Sequence, residues 1–266
     1  MWAANWRIVR ASVVGTSHIG TGAPCQDFSI HQFAESDSGP VLIAAVSDGA
    51  GSAAHAHVGS RIACERLIEL VQEFLTSGHH VACIDRDIVN GWIDATARAI
   101  QTTADASEAS LRDYACTLLA AIVDRDAAVF FQVGDGAVVT SQSEEDGWLW
   151  VFWPQHGEFA NTTNFITSEN VRVALEFELA PRRVDELALF TDGIENLVLH
   201  HASRTVHEPF FNGMFKQVRQ SPVDGFDEQL STSLDKYLSS ARVCERTDDD
   251  KTLLMATRRI VPEGEN

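Results

Sequence analysis

Val41-Leu42-Ile43-Ala44-Ala45-Val46-Ser47-Asp48-Gly49-Ala50-Gly51-Ser52 is an apolar run that stops abruptly on Asp-Gly-Ala-Gly. A continuous apolar run punctuated at once by glycine predicts a buried strand. Asp48 then stands at the strand end, where a side chain can leave the core. Gly49 and Gly51 let the backbone turn tightly and approach a ligand closely. An acid on a rigid strand end, beside a carbonyl that glycine leaves bare, suits a hard cation. The same residues also fit a strand-to-helix turn with Asp48 as a turn residue or helix cap, so the rest of the chain must decide.

Upstream, residues 6–14 mix β-branched and aromatic types and predict a first strand. Residues 15–25 are rich in glycine and predict a loop; Gly20-x-Gly22 lacks the third glycine and following helix of a dinucleotide fingerprint. Residues 27–33 alternate as a second strand, and 35–40 make the turn into the central one. Downstream, Leu67, Leu70, Val71, Phe74 and Leu75 recur at helical spacing until Thr76-Ser77-Gly78 stops them. Ile88, Val89, Trp92, Ile93 and Ile100 predict a second long amphipathic helix.

The pattern then changes to strands at 115–123, 128–133 and 137–139. Asp124-Arg125-Asp126 and Gly134-Asp135-Gly136 are expected to join them as consecutive hairpins. Strands follow at 148–153, 171–179 and 187–190, with 154–169 read as a surface loop or flap. Helices are expected at 210–218 and 226–238, a last strand at 252–256 and a frayed tail at 262–266. Strands and helices come in separate runs, which favours an α+β fold with antiparallel sheets over a doubly wound parallel one.

Acids outnumber bases 38 to 20, giving a formal net charge of -18. That excess argues against nucleic acid and anionic membrane surfaces as partners. The five cysteines are scattered with no C-x-x-C pair, so neither a disulfide framework nor a structural zinc site is expected. The first residues lack a signal-peptide layout, and no uncharged apolar stretch reaches the roughly 20 residues of a membrane span. The expected location is cytoplasmic. His55, His57, His79 and His80 read as surface or cap residues, Cys25 as an ordinary loop thiol, and Glu144-Glu145-Asp146 as a solvated turn. Trp148, Trp150 and Trp153 read as sheet packing.

Several acids share one setting. Asp48 and Asp192 each end an apolar strand and precede glycine; Asp135 sits in Gly-Asp-Gly; Asp249 precedes the last strand; Asp27 opens the second. Carboxylates that converge on one edge of a layered fold cannot all stay ionised without a cation. Oxygen ligands of this kind select Mg²⁺ or Mn²⁺ over Zn²⁺.

In chain order, Gln26-Asp27, Val46-Ser47-Asp48-Gly49-Ala50-Gly51, Cys116-Thr117, Val133-Gly134-Asp135-Gly136, Leu189-Phe190-Thr191-Asp192-Gly193 and Asp249-Asp250-Lys251-Thr252 resemble the metal-dependent PP2C family of protein serine/threonine phosphatases. Residues 15–27 and Gly157-Glu158-Phe159-Ala160-Asn161-Thr162 resemble a divergent bacterial branch of it. The resemblance implies one PP2C-like domain over residues 1–266, with its core at about 6–258. The implied fold is a β-sandwich of two antiparallel sheets flanked by α-helices, in four αββα layers. It further implies two Mn²⁺ or Mg²⁺ ions and a weaker third. Asp48 would bridge the pair, the Gly49 carbonyl would bind one ion, and Asp192 and Asp249 the other. Asp27 would act through waters on the metals, and Asp135 would serve the third site. The implied activity is hydrolysis of phosphoserine and phosphothreonine by a metal-activated water, with Asp48, Asp27 and His18 as catalytic residues. The implied partners are a phosphorylated protein substrate and a cognate serine/threonine kinase or its target.

The chain departs from the family at three places. Gly22 stands where many members carry a phosphate-gripping Arg, leaving His18 or Arg61 to replace it. Ala50 stands where some have a His, and Asn196 where an Asp is frequent. These departures motivate an alternative, a pseudophosphatase that binds phosphoproteins without turnover. A purely structural acidic interaction domain is a third reading.

Overall fold

A computed structural model describes residues 6–37, 39–141, 147–155 and 163–259. Strand β1 (Arg7–Val13) leads into a short helix α1 (Thr16–Thr21), then β2 (Phe28–Ser36) and β3 (Gly39–Ser47). Two long helices follow, α2 (Ala56–Thr76) and α3 (Arg86–Ala106). The apolar stripe predicted for each is buried, with Leu67 and Val71 on the first and Trp92, Ile93 and Ile100 on the second. Asp85 caps α3 by accepting the Ile88 amide at 2.8 Å.

Four strands come next: β4 (Leu118–Val123), β5 (Ala128–Val133), β6 (Ala137–Ser141) and β7 (Leu149–Phe152). One helical turn, α4 (Val171–Ala174), precedes β8 (Glu176–Ala180) and β9 (Glu186–Phe190). The turn α5 (Glu195–Val198) enters a small hairpin of β10 (Leu199–His200) and β11 (Thr205–Val206). The chain ends with α6 (Glu208–Arg219), β12 (Gly225–Phe226), α7 (Glu228–Leu238), α8 (Ala241–Cys244) and β13 (Lys251–Thr257).

Two sheets result. One runs β2-β3-β4-β5-β8 and is antiparallel throughout. The other runs β12-β1-β13-β9-β6-β7 and is antiparallel except where the two-residue β12 lies parallel to β1. Every residue of β4, β5 and β9 is buried, because each has a sheet on one side and helices on the other. Leu42, Val46, Leu119 and Phe130 meet Leu187 and Leu254 between the sheets. Ile43, Ile122 and Phe131 meet α2 and α3 on one outer face. Val9, Phe190 and Met255 meet Phe211, Phe215 and Leu234 on the other. This is the α+β fold the sequence pattern predicts, in the four αββα layers the resemblance implies.

Three local expectations are corrected. Gly134-Asp135-Gly136 is not a hairpin: β5 pairs with β8, whereas β6 pairs with β9 and β7, so the turn carries the chain from one sheet to the other. Gly134 sits at φ 123°, and a Cβ there would stand 2.5 Å from Thr117. Residues 15–25 are not wholly irregular, since α1 forms within them and ends on Gly22 at φ 72°. Residues 171–179 are not one strand: the first four are helical, and Val173 is 88% exposed. Val-x-Val over so few residues fits either period. The 157–162 stretch, Glu144-Glu145-Asp146 and the 262–266 tail lie outside the described residues.

Candidate metal centre

The acids gather where strands of both sheets end. Asp48 follows β3, and its backbone is fixed on both sides: its amide donates to Thr117 Oγ1 at 2.9 Å, and its carbonyl accepts the Thr117 amide at 2.8 Å. The next link of that ladder runs from the Ala50 amide to the Ala115 carbonyl, which leaves the Gly49 carbonyl outside it. A Cβ on Gly49 would approach the Gln26 carbonyl to 2.8 Å, so no larger residue fits between the segments carrying Asp27 and Asp48. Asp192 follows β9 in a tight turn. A Cβ on Gly193 would lie 1.7 Å from the Asp250 carbonyl, so glycine lets the Asp192 turn and the Asp249 segment touch backbone to backbone.

One carboxylate oxygen from each of Asp48, Asp135 and Asp192 lies within 4.8 Å of the others. Thr163 Oγ1 donates to Asp135 Oδ2 at 2.5 Å. Asp27 is buried; Thr191 Oγ1 donates to its Oδ2 at 2.8 Å, while its Oδ1 has no hydrogen-bond partner among the described residues. Asp249 is exposed at the rim. The five acids act on one another. Burial pushes the Asp48 carboxyl well above its ordinary value, and Asp27, Asp192, Asp135 and Asp249 add to the rise. Burial, then Asp135, Asp249 and Asp27, raise Asp192 to about 8. Asp27 rises to about 7, chiefly by burial; the hydrogen bond from Thr191 works against this. Such a cluster is destabilised unless it holds protons or cations.

The loop expected to grip phosphate is tied to the same rim. Asp250, 2% exposed, accepts the Gly15 amide at 2.6 Å and the Gln26 amide at 2.5 Å. Its Oδ1 also meets His18 Nδ1 at 3.0 Å. One buried carboxylate thus pins both ends of residues 15–26 and turns His18. Lys251 is fully buried beside it and donates from Nζ to the Asp249 carbonyl at 2.9 Å. Sequence reasoning assigned no role to Asp250, because partners more than 200 residues away leave no trace in local periodicity.

The donor set fits hard divalent cations. It is all oxygen, it is crowded enough to raise its own pKa values, and it leaves the buried Asp27 Oδ1 unsatisfied. Residues 14–239 match the family model described as Protein phosphatase 2C. The chain belongs to the protein phosphatase 2C family. It is 36% identical over 253 residues to serine/threonine-protein phosphatase 3 of Escherichia coli (strain K12), covering 95% of this chain and 98% of that one. The fold is shared with serine/threonine phosphatase Stp1 of Staphylococcus aureus (TM-score 0.58, 13% identity, 94% of each chain). It is also shared with the catalytic domain of the serine/threonine protein phosphatase PstP in complex with two manganese ions (TM-score 0.58, 15% identity, 95% of this chain and 97% of that one).

As a protein phosphatase 2C, this chain handles its departures visibly. Gly22 caps α1 in a left-handed conformation, where an arginine would be strained. Arg61 lies on α2 with its guanidinium 4.9 Å from the Phe28 ring centroid. Asn196 is exposed on α5. Among the surface and cap expectations, His55 stands at the N-terminus of α2, and His79 stacks on Phe74. Cys25 is held protonated, chiefly by burial and then by Asp27 and Asp250. All five cysteines are free. Trp148 packs on Phe211 and Phe215 as sheet packing demands, but Trp150 is 40% exposed and lies against Trp153 and Arg204. No helix among the described residues is long and apolar enough to cross a membrane.

Proposed function

We propose that this protein phosphatase 2C is a serine/threonine protein phosphatase that works with two Mg²⁺ or Mn²⁺ ions. The observation that carries the reading is the convergence of Asp48, Asp135 and Asp192 oxygens within 4.8 Å. Asp48 and the Gly49 carbonyl would hold one ion; Asp48 again, with Asp192 and Asp249, would hold the other; Asp135 would serve a weaker third. When bound, these ions supply Lewis acidity that makes water nucleophilic near neutral pH and neutralises phosphoryl oxygens.

The chain's own residues do the rest. Asp27 Oδ2 is fixed by Thr191, so Oδ1 is the atom left to orient a water beside Asp48 and take its proton. His18 gives Nδ1 to Asp250, which leaves Nε2 to contact the phosphoryl group or protonate the departing serine or threonine oxygen. The hydroxyls of buried Thr191 and Thr252 and of half-buried Ser12 keep the Asp27 side of the centre rigid. No side-chain nucleophile is required. The free thiols and acidic surface support action on cytoplasmic phosphoproteins, a kinase or its target among them.

Phosphate release from a phosphothreonine peptide tests the proposal. Release should depend on Mn²⁺, stop with chelator and fall on the order of 10²-fold or more in Asp48→Asn, as on loss of a principal electrostatic stabiliser. Full release in chelator, or none with any divalent cation, contradicts it.

A further inference from the structure

The outer helices of the second sheet leave a trough that none of the five acids lines. Helix α6 packs on β13 and β1, and α7 packs on β1. Between them lies a cavity of about 460 Å³. Its floor is Val9 and Met255; its apolar walls include Phe210 and Met214 on one side and Leu230 and Tyr237 on the other. Those four wall residues are only half-buried, so the helices supply an apolar surface they do not themselves cover. The volume falls within the range of about 300–1,000 Å³ typical of ligand pockets.

Charge marks one end of the trough. Arg242 on α8 and Arg246 just past its end both line it, and no Asp or Glu among the described residues does. Neither side chain makes an ion pair or a hydrogen bond with the described residues, although acids outnumber bases 38 to 20 in this chain. Elsewhere Arg219 and Arg259 close on Glu186, Arg66 on Glu69 and Arg172 on Asp94. Two unpaired guanidiniums at the mouth of an apolar cavity form a cationic end on a greasy slot. Guanidinium favours planar oxyanions over other heads.

We infer that this trough is a binding site for an amphipathic anion, a fatty carboxylate being the simplest member of the class. Its linear tail lies between α6 and α7 over Met255, and its carboxylate meets Arg242 and Arg246. The site uses none of the acids of the metal centre, so its failure would leave the phosphatase reading intact.

The test is calorimetric titration of the full chain with dodecanoate below its micelle concentration, alongside dodecanol and dodecyltrimethylammonium. Saturable one-to-one binding of dodecanoate is expected, at least tenfold tighter than that of either other probe. The double variant Arg242→Gln/Arg246→Gln, changed only at exposed positions, should lose at least tenfold in dodecanoate affinity. Gly213→Trp should abolish binding, since Gly213 lines the trough on α6 and an added Cβ there meets nothing within 4 Å. Circular dichroism and phosphatase activity check that both variants fold. Absence of saturable binding, equal affinity for all three probes, or unchanged affinity in both variants overturns the inference. So does a dimer in sedimentation that Gly213→Trp dissociates, because a second copy of the chain would then be what covers the trough.

Discussion

Asp48 is the acid on which most of the others press: Asp27, Asp192, Asp135 and Asp249 all raise its pKa, after burial. The sign of the consequence is fixed. A carboxyl raised in the folded state holds a proton that the unfolded chain has already released at about pH 4. Its stabilising contribution is complete below that value and is lost as pH rises through the folded values of about 7 for Asp27 and about 8 for Asp192. Metal-stripped protein should therefore lose melting temperature between about pH 6 and pH 8.5, and Asp48→Asn should flatten that loss. Scanning calorimetry of both proteins in chelator checks this; a wild-type melting temperature that rises over the interval contradicts it. Asp250 acts at the same scale but through others. Asp250→Ala orphans the Gly15 and Gln26 amides, at about 1–3 kcal/mol for each buried donor. It should also cost about 10–100-fold in turnover, as loss of an orienting partner does. His18→Ala should show a similar kinetic loss, and the double variant no more than either alone, because the two act as one unit. Additive losses in the double variant would separate them.

Elements decided how much of the molecule could be read in advance. The long helices were legible because apolar residues at helical spacing extend over many turns, and the Asp48 strand because its run is continuous. The path at Gly134-Asp135-Gly136 was not legible. Gly-Asp-Gly between two short strands suits a hairpin, and only the pairing of β5 with β8 and β6 with β9 shows that it crosses between sheets. The change matters, since a crossing places Asp135 at the edge shared by both sheets, beside Asp48 and Asp192. Asp48 and Asp192 are legible because each follows an apolar strand and precedes glycine, and Asp135 because it follows a strand and glycine flanks it on both sides. What pins the His18 loop was not, because its anchor is a carboxylate 235 residues from Gly15. At this scale Gly193→Ala is the informative change. Its Cβ would collide with the Asp250 carbonyl, forcing the Asp192 turn away from β13. The expected cost is about 1–3 kcal/mol in urea unfolding, together with weaker Mn²⁺ binding. Wild-type Mn²⁺ affinity in a folded Gly193→Ala protein would show that the contact does not position Asp192.

For the whole molecule, a net charge of -18 and a cluster of buried acids pull against the folded state unless cations balance them. Two sheets back to back make an edge where strand ends from distant parts of the chain meet, and the fold spends that edge on carboxylates. Ligand linkage sets the scale: Mn²⁺ at a hundred times its Kd should stabilise the folded chain by about 2.7 kcal/mol per site. The most direct test of the account is to count bound ions. Mn²⁺ titrated into chelator-stripped protein, followed by electron paramagnetic resonance of the free ion, should show two tight sites per chain in the wild type and loss of both in Asp48→Asn. Two undiminished sites in Asp48→Asn, or none in the wild type, would contradict it.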